Sequence, residues 1–457
     1  MRPERLMQFS RIAETMVKST IILEILQFAT KYLLSITAGF LFTLGYPPYY
    51  FWPATSISLY YLYNVIFSNK SYFSKFAHAS AFGFSISFVI WYPALHFLDN
   101  TYYETGYIAW CAICGIIYWG LSIIGTFFFK DVLVQWLIWL ISFAILEFAR
   151  LNLIYGQAPI SIMSLASPNI AQAHRLIGYS GTAMLWISLM SIPFVIYTLA
   201  SKSFLFLIIL ASYLFSKKIP NINDLPKHNK SFKCVQVHFK KNDILQKRQH
   251  TLYSLLDKYE VNLSILPEGN PTLHELTKIY YRRLVNIPWH QFDMILGIWN
   301  NESEYPNQAA FISNGYLQNI HQKSNLIALL DYNLPSFAIQ NSTKHLKPTH
   351  SLSFIMPKPS KSIFKTQIGL VTPIICADSI IQTKNNPYTN FYVHLCNDTN
   401  MNEGIMLAQS QVMAIYLGNA VIRASNKNSA IINSFGQILA KLGNKNGVLY
   451  CKSNTYN

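Results

Sequence analysis

Apolar residues are distributed unevenly along this chain, and the asymmetry limits the folds open to it. Of 457 residues, 51% are hydrophobic and only 12% are charged, roughly half the charge of a typical soluble domain. Almost every long apolar run precedes Phe215, whereas most of the charge follows it. We therefore expect a membrane-embedded α-helical bundle over residues 1–216, a polar linker at 217–230 and a water-soluble domain over 231–457.

The first part is long enough for about seven membrane spans of ordinary length. They are predicted near residues 21–44, 52–68, 78–97, 107–129, 133–153, 176–200 and 204–216. A shorter first span that begins near Tyr32 is the alternative, because Glu24 and Lys31 interrupt the longer one. Basic loop residues fall on alternate connections, on the side of the basic N-terminus, so the positive-inside rule predicts a cytoplasmic N-terminus and a soluble domain on the opposite side.

The net charge of +16 is compatible with an anionic partner. No basic repeat with interleaved aromatic residues is present, so we expect a membrane surface and no nucleic acid. Six cysteines are spread along the chain. Cys111 and Cys114 form a CxxC inside an apolar segment, which favours helix packing over metal binding. We expect no metal and no cofactor.

The second part alternates between strand and helix patterns. Apolar strands are predicted at Phe232–His238, Leu263–Glu268, Met294–Trp299 and Ile368–Ile375. Helical patterns lie near residues 244–259 and 273–284. This alternation predicts an α/β domain.

Two of these strands lead into reactive residue types. Cys376 follows the last strand, Glu268 ends the second, and Lys323 lies between them with Asp331 eight positions further on. A thiol is mostly protonated at neutral pH, so a nucleophilic cysteine requires a base and a nearby cation. A lysine also supplies the positive charge that an oxyanion needs. A lone cysteine is more often a buried core residue, and its acidic and basic companions raise the chemical hypothesis above that one.

Glu, Lys and Cys in this chain order resemble the catalytic set of the nitrilase, or carbon–nitrogen hydrolase, superfamily. The resemblance implies an αββα sandwich in which Glu268 is the general base, Lys323 stabilises the oxyanion and Cys376 is the nucleophile. Together with the preceding spans, the chain resembles the apolipoprotein N-acyltransferase family. The motifs that carry this likeness are Pro47-Pro48, Leu146–Arg150, Pro267-Glu268, Asn397-Asp398 and Leu417–Arg423.

That resemblance implies transfer of a fatty acyl group from a phospholipid, through a cysteine thioester, to the N-terminal amine of diacylglyceryl apolipoproteins. It implies a multi-pass protein of the bacterial inner membrane, a catalytic domain on the periplasmic side and no cofactor; we expect a monomer. Asp331 would support Lys323. The substrate-binding residues would be Asp378, Asn397, Glu147 and Arg150.

The chain departs from the family at its lysine motif, where Lys323 and Tyr332 remain but proline and glycine are lost. Lys344-His345-Leu346 is a rival match, but Lys323 keeps the spacing to an acid. The family's final membrane helix is not expected, because no further apolar run precedes Asn457. Two other functions stay open: a membrane-bound amidase that uses water as the acceptor, and a non-catalytic lipoprotein-binding membrane protein.

Glu147 and Arg150 fall within the fifth predicted span. They are three residues apart and therefore share one face of a helix. Charges at membrane depth usually pair or face a polar cavity. The pair is either an interfacial salt bridge or part of the site where lipid enters.

Overall fold

The protein's architecture comes from a computed structural model. It describes residues 30, 32–68, 70–95, 113–153, 159–199, 231–236, 254–255, 261–267, 293–299, 307–314, 316–323, 362–376, 388–396, 403–443 and 445–452. Helices occupy the described residues up to Leu199, and strands begin at Ser231.

Six of the predicted spans overlap helices, and the last, 204–216, lies outside the described residues. The N-terminal helices are α1 (Tyr32–Thr43), α2 (Trp52–Ile66), α3 (Tyr72–Leu95), α4 (Ile113–Phe128), α5 (Val132–Leu153) and α7 (His174–Leu199).

Only two helices among the described residues are long and apolar enough to cross a membrane. They are Tyr72–Ile90, within α3, and Val132–Leu151, within α5. The prediction of seven spans is therefore not confirmed. Helix α2, for example, has 15 residues, fewer than an apolar bilayer core of about 30 Å requires of a helix along its normal.

Helix α5 has its polar and apolar faces inverted relative to a helix of a water-soluble protein. Leu137, Ile141, Ile145 and Phe148 recur at intervals of three or four residues and are all exposed, whereas Glu147 is completely buried. Residues with that spacing form one stripe along a helix. The outer surface of α5 is therefore apolar and its charge lies inside.

The sequence pattern gave no indication of the segment between α5 and α7. A 3-10 helix, Ile160–Ala166, and the short α6, Pro168–Ala171, fold back into the bundle. Most of the side chains of the 3-10 helix are buried. Short turns of this kind have no extended periodicity for a sequence pattern to detect.

The C-terminal part consists of two six-stranded sheets that face each other. The strands of the first sheet are β1 (Ser231–Gln236), β2 (Leu263–Leu266), β3 (Asp293–Trp299), β4 (Asn307–Ser313), β5 (Tyr316–Gln322) and β12 (Gly447–Lys452). Those of the second sheet are β6 (Phe364–Thr366), β7 (Gly369–Ile375), β8 (Phe391–Cys396), β9 (Val421–Ser425), β10 (Ala430–Ile432) and β11 (Ile438–Lys441).

The two sheets have the same strand arrangement. The first has the order β12-β1-β2-β3-β4-β5 and the second, taken from its other edge, β6-β7-β8-β9-β10-β11. In each, three parallel strands are flanked by one antiparallel strand on one side and two on the other. The predicted α/β sandwich is therefore present. Helix α8 (Glu403–Leu417) covers the second sheet, and the helical patterns predicted at 244–259 and 273–284 lie almost wholly outside the described residues.

Arg175, in the first turn of α7, joins the helical part to the sandwich. Its guanidinium donates to the backbone oxygens of Ile415 at 3.2 Å and Ser434 at 2.6 Å. It also lies 4.6 Å from the ring centroid of Phe435. The helix that covers the second sheet is thus held against the N-terminal bundle.

Candidate active site

Cys376 follows β7 directly and has an unusual backbone conformation. Its φ is +46°, in the left-handed region that residues other than glycine seldom occupy. Such strain, where it is observed, is a reason to suspect a functional role. The residue is only 6% exposed, so Cys376 lies at the end of the strand but is almost completely shielded from solvent.

Lys323 lies at the end of the first sheet, immediately after β5, and is 1% exposed. Strand pairing places it at the same edge as the carboxyl end of β2. Leu266 is paired with Leu296 on β3, and Gln322 is paired with Gln308 on β4. The carboxyl end of β2 therefore lies at the edge of the sheet from which Lys323 emerges.

Cys376 belongs to the buried cluster between the two sheets. The same cluster contains Ala309 of β4, which is paired with His321. Strands β4 and β7 also face each other across the sandwich. The core thus connects the strand that carries the cysteine with the hairpin that carries the lysine.

Sequence reasoning missed His394, which contacts the backbone of Cys376. His394 lies on β8, is completely buried, and has Nε2 3.0 Å from the Cys376 carbonyl oxygen. Its Nδ1 is 2.8 Å from Oγ of Ser410 on α8. A single histidine in an apolar strand is most simply interpreted as a core residue, and only the strand register shows that it is adjacent to Cys376.

A buried arginine lies beside His394 on the next strand. Arg423 is paired with His394 in the sheet and donates from Nη1 to Sγ of Cys396 at 2.7 Å. It falls in the Leu417–Arg423 stretch of the family resemblance. Its positive charge adds to the effect of burial in lowering the pKa of His394 to about 3. The imidazole is therefore neutral at physiological pH.

Of the other predicted site residues, the structure describes only Glu147 and Arg150. Glu268, Asp331, Asp378 and Asn397 lie outside the described residues, as does the rival Lys344. No group of three or more His, Cys, Asp or Glu side chains in the described ranges is arranged to hold a metal ion.

Glu147 and Arg150 are brought together as their spacing predicts. The Arg150 guanidinium donates to both carboxylate oxygens, at 2.8 and 2.9 Å. Glu147 also accepts from the backbone N–H of Ile160 at 2.9 Å. The pair therefore ties the end of α5 to the 3-10 helix that follows it.

No family model matches the sequence, and no curated protein matches it. Solved structures do. A CN-hydrolase superfamily protein of Xanthomonas campestris, with an arsenic adduct in its active site, is 14% identical with a TM-score of 0.36, over 49% of this chain and 90% of that one. A Saccharomyces cerevisiae member of branch 10 of the nitrilase superfamily is 15% identical with a TM-score of 0.34, over 49% and 89%.

An amidase of Nesterenkonia sp. AN1, a mutant with the acetamide moiety of fluoroacetamide added covalently at its active-site cysteine, is 12% identical with a TM-score of 0.34, over 53% of this chain and 95% of that one. All three similar structures belong to the nitrilase or CN-hydrolase superfamily, and none of the three is an apolipoprotein N-acyltransferase. At these identities and TM-scores, the likenesses carry no argument about reaction or substrate.

Proposed function

We propose that this chain is a membrane-bound cysteine acyltransferase. It takes a fatty acyl group from a phospholipid as a thioester on Cys376. It then transfers the group to the N-terminal amine of the diacylglyceryl cysteine of an apolipoprotein. The proposed catalytic domain faces the periplasm of a bacterial inner membrane, as the family resemblance implies.

The observation that carries the proposal is the left-handed backbone of Cys376 at the end of a parallel strand. Strained residues of this type cluster at active sites, where the surrounding structure maintains them. A structural cysteine in the core needs no such conformation. The buried Lys323 at the end of β5 supports the same proposal, because a lysine held in a protein interior can stabilise a developing oxyanion more strongly than one in water.

The chemistry then takes place in two balanced halves. The Cys376 thiol gives its proton to Glu268 and attacks the ester carbonyl, and the lysophospholipid oxygen leaves with that proton. In the second half the amine attacks the thioester. Its proton passes through Glu268 to the departing thiolate, and an amide remains.

The surface of the helical part supports a lipid substrate. Besides the stripe on α5, Phe73, Phe128 and Leu176 are exposed by 78%, 80% and 88%. Large exposed apolar surfaces mark contact with membranes or partners. A donor with long acyl chains would meet the enzyme along such a surface, whereas a small water-soluble amide would have no need of it.

Mass spectrometry of the purified full-length protein after incubation with phospholipid vesicles tests the proposal. We expect a fatty-acyl mass on the Cys376 peptide, which disappears when a diacylglyceryl-cysteine peptide is added and reappears as an amide on that peptide. Release of free fatty acid without amide formation would instead indicate a hydrolase. Absence of any acyl adduct would overturn the enzymatic proposal and leave a lipoprotein-binding role.

A further inference from the structure

His394 holds the backbone of the proposed nucleophile from the neighbouring strand. It pairs with Ile374 in the register of β7 and β8, two residues before Cys376. Its Nε2 approaches the Cys376 carbonyl oxygen to 3.0 Å. A carbonyl oxygen only accepts hydrogen bonds, so Nε2 must carry the proton.

The other ring nitrogen is fixed by Ser410. A neutral imidazole that carries its proton on Nε2 has a lone pair on Nδ1, which accepts from the Ser410 hydroxyl at 2.8 Å. The hydroxyl has a single proton, and its longer approach to Met406 O, at 3.3 Å, is the weaker alternative. Ser410 therefore selects the tautomer that points a donor at Cys376.

Ser410 in turn lies on a helix with little freedom to move. Ile405, Ala408 and Val412 of α8 are buried in the apolar cluster of the N-terminal bundle. The chain of contacts runs from the bundle through α8 and Ser410 to His394, and from there to the carbonyl of Cys376.

We infer that His394 is a positioning residue for Cys376. Its Nε2–H keeps the Cys376 peptide in the left-handed turn that presents the thiol at the end of β7. A non-glycine residue in a sparsely populated conformation is strained and persists only when its surroundings impose it. The buried hydrogen bond from β8 is such a restraint. The inference deepens the proposed function and rests on Cys376 being the nucleophile.

Two amide substitutions separate the hydrogen bond from simple packing. The amide nitrogen of His394→Gln lies near the position of Nε2 and can still donate to the Cys376 carbonyl. His394→Asn is shorter by one methylene and reaches only toward Ser410. His394→Leu removes both contacts, and folding of each variant is checked by its thermal midpoint in detergent.

Two rates are measured on the full-length protein: alkylation of Cys376 by iodoacetamide, followed on its peptide, and single-turnover acylation by phospholipid. We expect His394→Gln to stay within about threefold of the wild type. His394→Asn and His394→Leu should lose about 10- to 100-fold in acylation, since misplacement by 1 Å can cost about 10² in rate. Alkylation should slow in the same order, and the KM for phospholipid should not change.

Equal rates in all variants, or a His394→Gln variant as slow as His394→Asn, would overturn the inference. If His394→Leu does not fold, the Gln and Asn pair decides the question. The alkylation measurement also separates this inference from the proposed function. A wild-type protein that is never acylated, but whose Cys376 alkylation still follows the hydrogen bond, would refute the acyl transfer alone.

Discussion

Two equivalent strands of the sandwich each carry a cysteine, and the two cysteines differ in backbone conformation. Strand β1 lies between an antiparallel edge strand, β12, and a parallel neighbour, β2; β7 lies between β6 and β8 in the same way. Cys234 sits inside β1, whereas Cys376 sits one residue past the end of β7.

The difference shows how the position along a strand decides what a thiol can do. Cys234 is completely buried, its Sγ approaches the Arg423 carbonyl oxygen at 3.4 Å, and burial raises the pKa of its thiol to about 12. A thiol of that pKa is inert at neutral pH. Cys376 leaves the regular strand through a left-handed turn held by His394. A cysteine thiol is thus enclosed within a strand in the first sheet and lies just past the end of a strand in the second.

The strongest test of this contrast exchanges the two thiols for inert groups. Cys376→Ser should abolish acyl transfer, with a loss on the order of 10⁴-fold or more, because a serine hydroxyl is far less acidic and forms no thioester. Cys234→Ala should retain activity within about threefold while lowering the thermal midpoint, since it leaves a small cavity in the core. Activity assays with phospholipid and a diacylglyceryl peptide measure both effects. Near-native turnover by Cys376→Ser would remove the distinction between the two strands.

Strands β2 and β3 were predictable because they are buried and consist mostly of apolar residues. The β4–β5 hairpin was not. Four of the first five residues of β5 are exposed, and Tyr316–Gln322 has no apolar run to mark it. Lys323 was therefore proposed from the family resemblance and its spacing to Asp331, and not from a predicted strand.

The roles of Cys376 and Lys323 stay predictions, based on the needs of a thiol nucleophile and an oxyanion and on the family resemblance. His394 could not be predicted, because its role depends on the parallel pairing of β7 with β8 and on a helix that begins seven residues after β8 ends. The number of spans stays a prediction, because only two helices among the described residues are long and apolar enough to cross a membrane and the last predicted span lies outside those residues.

The next test concerns Lys323, which is buried directly after β5 in the first sheet. Lys323→Met keeps the length of the side chain and removes its charge, and we expect acylation of Cys376 to slow by about 10²–10³, the usual effect of losing an oxyanion donor. Lys344→Ala is the control and should have little effect. Single-turnover acylation rates distinguish them. A large loss for Lys344→Ala with none for Lys323→Met would make Lys344-His345-Leu346 the functional motif.

The test with the smallest expected effect compares β8 and β2, the parallel neighbours of the two strands associated with the cysteines. His394 lies two residues before the end of β8, and Ser264 lies two residues before the end of β2. Ser264 Oγ is buried without a hydrogen-bond partner among the described residues, whereas His394 makes two hydrogen bonds. Only the second sheet therefore contains a titratable group at this position.

The pKa of His394 falls from 6.5 to about 3 on folding, so the unfolded chain takes up its proton first as the pH decreases. The stabilisation is complete above pH 6.5 and is lost as the pH falls toward 3, by up to about 1.4 kcal/mol per pH unit for one proton. Between pH 7 and 4.5, His394→Gln should therefore lose less thermal stability than the wild type, while Ser264→Ala should follow the wild type. The carboxylates titrate alike in all three proteins and cancel in the comparison. Parallel curves for wild type and His394→Gln would mean that the folded protein takes up a proton on His394 at the same pH as the unfolded chain, so that the imidazole is charged at pH 4.5. A charged imidazole carries a proton on both ring nitrogens. Ser410 could then no longer select the tautomer that holds Cys376.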